Sequence, residues 1–197
     1  MTGSIDDALA QFAAIGAGDP RRVVWDGQEL PRQLGEAACL LHYVRCLQPT
    51  PSLALQLATQ CQHLRRYAYP RSEFPDGREG YLNWRKQAAH RSAEEAAAIL
   101  RALGFETSLV EQVMSIITKQ DRRRNPDCQA MEDALCLSFF RLDAPEFAAK
   151  HAVEEVERIL RRTWLKMSEH GRTIALAERF VEPLRGALEA LARDRTD

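Results

Sequence analysis

Between residues 62 and 91 the chain carries little helical filler and much that can do chemistry: Gln62-His63-Leu64-Arg65-Arg66-Tyr67, then Pro70-Arg71, then Gly77-Arg78-Glu79-Gly80-Tyr81-Leu82-Asn83-Trp84-Arg85 and on to His90. Two imidazoles and one carboxylate make a serviceable borderline metal site for Zn, Mn, Fe, Co or Ni. The carboxylate is supplied by the doublet Glu132-Asp133, set in a later segment that is apolar nearly all round. A buried acid there is costly unless it is paired, hydrogen-bonded or bound to a metal. Adjacent helical residues point about 100° apart, so only one of the doublet faces a given pocket. His63, His90 and Asp133 are therefore the candidate metal ligands, and Asp133 and Glu132 the candidate catalytic acids. The plainer reading of the same residues is a buried carboxylate paired with an arginine, His63 in a polar network and His90 near a helix end. No compact ligand motif such as H-E-x-x-H is present.

Arginine dominates the rest of this stretch. Arg66, Arg71, Arg78 and Arg85, with Lys119 further on, are the candidate substrate-binding residues, because a local excess of guanidinium groups can receive phosphate oxygens bidentately. The second basic run, Lys119 with Arg122 to Arg124, reads more simply as a solvated surface. Tyr67, Tyr69, Tyr81 and Trp84 can stack a base beside those arginines or serve as core and loop anchors. Nucleophile-elbow, phosphate-loop and dinucleotide fingerprints are absent from the sequence, which argues against serine-hydrolase and P-loop chemistry.

The elements that must position these residues read almost entirely as helix. Apolar residues recur at three- and four-residue spacing, and runs rich in Val, Ile, Thr and aromatics are missing. The expected fold class is all-α, a single helical domain over residues 1–197. Ser4 caps a first helix that stops at Gly16 to Pro20, and Val23 to Gly27 is a short extended link. Pro31 opens a second helix that ends before Pro49. Ser52 caps a third, with His63 near its C-terminal end. Residues 70–78 form a loop, and the helix begun at Tyr81 reaches or breaks near His90-Arg91-Ser92. Ser108 caps the next helix, which the polar segment from Lys119 to Pro126 ends. Residues 128–140 form a central buried helix. A short turn at Pro145 leads to a long helix from Val153 through Met167 that stops at Gly171, and a last amphipathic helix or pair is interrupted by Pro183.

Composition bounds the function. The chain has 197 residues, 45% hydrophobic and 28% charged, with a net charge of -1, so no global field marks a nucleic-acid or membrane-surface binder. The acidic start lacks a secretory signal and no run approaches a membrane span, giving the expectation of a cytoplasmic protein. The five cysteines, at 39, 46, 61, 128 and 136, show no CxxC spacing and read as buried free thiols.

Several ordered pieces, namely Gln62-His63-Leu64-x-Arg66-Tyr67, Gly77-Arg78-x-Gly80-Tyr81-Leu82-x-Trp84-Arg85, His90, Asp127-x-Gln129-x-x-Glu132-Asp133-x-x-Cys136-Leu137 and Arg162-Thr163-Trp164-x-Lys166-Met167-Ser168, resemble the uncharacterised family called domain of unknown function 4202. More distantly the chain resembles the HD superfamily of metal-dependent phosphohydrolases, all-helical proteins in which a histidine, a His-Asp doublet and a later aspartate converge on a divalent metal. That resemblance implies His63 at the doublet, His90 as an additional ligand, Asp133 as the later carboxylate and His42 as a first histidine. His63 is followed by Leu64 and His90 by Arg91, so neither supplies the doublet's aspartate. The expected function is metal-dependent hydrolysis of a nucleotide or other small phosphate ester. The alternatives are a non-catalytic helical domain that binds a phosphorylated ligand or RNA, and a structural partner-binding domain.

Overall fold

The computed structural model of the protein describes residues 4–120 and 124–193, so Arg122 and Arg123 of the second basic run and the end of the polar tail lie outside the described residues. Helix α1 spans Ile5–Ala17 and is capped by Ser4, whose hydroxyl accepts a hydrogen bond from the Asp7 N–H at 3.3 Å. The extended link is more than a link. Strands β1 (Arg22–Trp25) and β2 (Gln28–Pro31) pair antiparallel, with Val23 opposite Leu30. The turn uses Asp26 (φ 50°) and Gly27 (φ 74°), both left-handed, which is the hairpin signature of an Asp-Gly pair after β-branched and aromatic residues.

Helix α2 (Arg32–Leu47) leads to α3 (Leu53–Cys61), capped by Ser52 through the Leu55 N–H at 3.0 Å. Helix α4 (Gly77–Ala102) runs unbroken through residues 90–92, where the sequence has the helix either end or break. Ser92 keeps its place in the helix because it is buried and its hydroxyl bonds the Leu64 carbonyl at 3.0 Å. Helix α5 (Thr107–Thr118) packs back against α4 and starts one residue ahead of Ser108, which does not cap it. Helix α6 (Pro126–Ser138), capped by the Asn125 side chain, is buried along most of its length as its composition requires. It passes into a π-helical turn at Phe139–Asp143 and then α7 (Ala144–Lys150).

Helix α8 (Val153–Trp164) ends before Met167, because Ser168 starts α9 (Glu169–Ala177) as its N-cap. Helix α10 (Leu184–Arg193) follows Pro183. Phe12, Tyr43, Leu55, Leu57, Leu100, Ile117, Met131, Phe140 and Leu188 belong to one hydrophobic cluster that draws on α1 through α10. The fold is thus an all-α bundle with a two-stranded hairpin at its edge. Among the described residues no helix is long and apolar enough to cross a membrane.

Candidate functional site

Helix α3 has no Gly or Asn at its end; Arg65 takes the left-handed conformation instead (φ 51°) and turns the chain. Two bonds stabilise that geometry: the Arg65 N–H donates to Gln33 Oε1 at 2.8 Å, and its Nε to Glu95 Oε1 at 2.6 Å. The turn leaves His63 facing α2 and throws Arg66 across α4, where its guanidinium carbon lies 4.5 Å from the centre of the Trp84 ring. Trp84 is itself fixed, donating from Nε1 to the Tyr69 carbonyl at 2.8 Å. The loop before α4 is pressed onto the helix so closely that a Cβ at Gly80 would sit 1.8 Å from the Pro75 carbonyl oxygen, which only glycine permits.

His63 meets Glu36 on α2. Its Nδ1 lies 2.8 Å from Glu36 Oε2, while Glu36 Oε1 accepts from Arg32 Nε at 2.7 Å, and Arg32 reaches on to Asp143 at the end of the π turn. The hydrogen bond from His63 and the charges of Arg32 and Arg66 outweigh the cost of burying Glu36 and hold its carboxyl well below the ordinary carboxylate range. Burial, with the nearby Arg66 charge, pushes the His63 imidazole below its ordinary value although Glu36 pulls the other way. The protonation states follow. An anionic carboxylate only accepts, so Nδ1 carries the proton, and the neutral ring presents a lone pair at Nε2. Among the described residues Nε2 has no hydrogen-bond partner, and neither does the guanidinium of Arg66. Arg85, with its guanidinium over Tyr81 at 5.8 Å, is close enough for its charge to lower the pKa of both Arg66 and Lys119. A carboxylate-oriented imidazole beside arginines with unspent donors is an arrangement for acid–base work on an anion.

The other sequence candidates fall elsewhere. Glu132, 4% exposed, is ion-paired with Lys119 at the left-handed C-cap of α5, so Lys119 carries a buried ion pair and is not one more free cation. Asp133, 2% exposed, accepts hydrogen bonds from the Ser168 N–H at 2.8 Å, the Ser168 hydroxyl at 2.5 Å and Gln129 Nε2 at 2.9 Å. Its partner is thus the N-terminus of α9, neither a metal nor an arginine. His90 and Arg78 are exposed on α4. Arg71 is spent on the loop, donating to the carbonyls of Phe74 at 2.7 Å and Pro75 at 2.8 Å. His42 is exposed on α2 against the edge of Trp25.

The structure thus turns His63, His90 and Asp133 toward different surroundings. Among the described residues no group of three or more His, Cys, Asp or Glu side chains is placed to hold an ion. Asp133 is turned to Ser168 and Gln129, and His63 to Glu36 on α2. The sequence reading missed Glu36, Arg32 and Asp143. The first two sit at the i, i+4 spacing of an ordinary surface pair, so nothing local marks them as partners of His63 or Asp143. A cavity of about 320 Å3 lined by Phe140, Arg141, Pro145, Phe180, Val181 and Leu184 contains none of the candidates and has no proton-transfer pair.

No curated protein and no solved structure matches the chain. The likeness to the HD superfamily finds no support in these comparisons, in keeping with the missing doublet aspartate and the scattered ligands. The family model described as "Domain of unknown function (DUF4202)" matches residues 6–188, nearly the whole chain, and the protein belongs to that family.

Proposed function

We propose that the chain binds a small phosphate ester at the His63–Arg66 cluster and hydrolyses it with His63 as the proton-transfer group. The observation that carries this reading is the 2.8 Å contact between His63 Nδ1 and the Glu36 carboxylate, which fixes the tautomer with a free lone pair at Nε2 beside the unspent donors of Arg66. In the reaction His63 Nε2 takes a proton from the attacking water as its oxygen bonds to phosphorus. The bond from phosphorus to the ester oxygen breaks, and the proton passes to the departing alkoxide. Arg66 and Arg85 offset the charge on the equatorial oxygens.

Release of inorganic phosphate from sugar phosphates and nucleotides tests the reading. His63→Gln should lower kcat by about 100-fold or more with KM little changed, the usual worth of a positioned acid–base group. The rate of the native protein should rise with pH through a value below the ordinary histidine range and be level by neutrality, since Nε2 works only when unprotonated. Turnover that survives His63→Gln overturns the assignment of His63. Esters that bind without releasing phosphate overturn hydrolysis and leave a binding domain.

A further inference from the structure

The His63–Arg66 cluster borders an aromatic surface through Trp84. Trp84, covered on one side by Arg66, leans against Tyr81 with ring centres 5.9 Å apart and planes at 42°. Tyr81 is 43% exposed, and Leu82 beside it is 50% exposed. Large apolar side chains on a helix that begins with Gly77 and carries Arg78, Glu79, Lys86 and Gln87 are there at a cost in solvation unless something covers them. Arg85 folds back over the Tyr81 ring at 5.8 Å, so the same helical turn offers a stacking ring and a cation. A bare sugar phosphate would leave Tyr81 exposed. A flat heteroaromatic ring would cover it, since every base has a π-face and stacking on an aromatic side chain is sequence-tolerant.

Resting on the phosphate-ester reading above, we infer that the ligand is a nucleoside phosphate, with its phosphate on Arg66 and Arg85 beside His63 and its base stacked on Tyr81. Recognition by stacking alone makes the site tolerant of base identity. The same chemistry is presented by a free mononucleotide and by the 5′ end of an RNA strand.

Titration calorimetry with the native chain, using inorganic phosphate, ribose 5-phosphate, AMP and a 5′-phosphorylated RNA trinucleotide, decides the matter. AMP should bind about tenfold more tightly than ribose 5-phosphate, within the range a stacked base contributes. Tyr81→Ala should bring AMP down to the affinity of ribose 5-phosphate while leaving inorganic phosphate unchanged, and Tyr81→Trp should keep the preference. A trinucleotide that binds more tightly than AMP assigns the ligand to a strand end, and one that binds equally assigns it to the free nucleotide. Equal affinity for AMP and ribose 5-phosphate in the native chain, or a preference that survives Tyr81→Ala, overturns the nucleoside assignment and leaves the phosphate site standing. Failure of all four ligands, inorganic phosphate included, overturns both.

Discussion

Glu36, partly buried, and Glu132 and Asp133, fully buried, are three acids held in three different ways, and each way has its own signature on mutation. Glu36 is an anion between His63 and Arg32, its carboxyl held at about 2 against an ordinary 4.5. A depressed carboxyl contributes stability that is fully present above 4.5 and is lost as pH falls toward 2. His63 acts in the same direction, because its lowered value means that protons favour the unfolded chain once pH drops below 6.5. Glu36→Gln should therefore lower the urea midpoint at neutral pH and flatten its fall between pH 4.5 and 2. Asp133→Asn should behave differently, since an amide nitrogen would face the Ser168 and Gln129 donors. A loss of about 1–3 kcal/mol is expected from the unmade bonds, read as a lowered urea midpoint. The cost of an acid in an apolar helix made it legible from sequence that residues 132 and 133 need partners. It did not say which, because Ser168 and Lys119 are remote along the chain.

At the scale of elements, two of the three expected serine caps were legible, Ser108 was not one of them, and the tertiary overrides were hidden. Ser4 and Ser52 cap the helices their positions suggest, and α6 is buried as its composition demands. The hairpin was hidden by brevity, with strands of four residues that give periodicity too little length to register. Past Ser92, α4 continues with Ala93, Ala96, Ala97 and Leu100 buried, and the Ser92 hydroxyl bonds the Leu64 carbonyl, a contact no local pattern reveals. The boundary between α8 and α9 turns on Ser168, whose hydroxyl accepts from the Gly171 N–H at 3.0 Å while donating to Asp133. Gly171 is therefore not a helix stop but the point where α9 meets α6: a Cβ there would lie 2.7 Å from the Asp133 carboxyl carbon. Gly171→Ala should cost about 1–3 kcal/mol by forcing the two helices apart, measured as a lowered urea midpoint. An unchanged midpoint would mean that α9 is not seated on Asp133.

The whole molecule joins these pieces through a core that reaches from Phe12 in α1 to Leu188 in α10, so the site's helices are not free to move independently of the rest. Composition anticipated one such core, and it could not anticipate which polar side chains would be trapped at its margin. Glu36 and His63 are 27 residues apart in sequence, and only the packing of α3 on α2 makes them neighbours. The cysteines offer a direct measure of how far this unity extends. Cys39, Cys61, Cys128 and Cys136 are buried and Cys46 is exposed beside His42. Burial also pushes the Cys39 and Cys136 thiols up to about 12, so neither is a nucleophile in the folded chain. A thiol reagent added to the native protein should label Cys46 alone. Across a urea titration the other four should become reactive in a single transition that coincides with the loss of helical circular dichroism, as a cooperative unit requires. Because Cys39 lies on α2, Cys61 on α3 and Cys128 and Cys136 on α6, separate transitions for these thiols would show that the helices carrying the Glu36–His63 pair unfold apart from one another, and the rigid orientation on which His63 depends would fail with them.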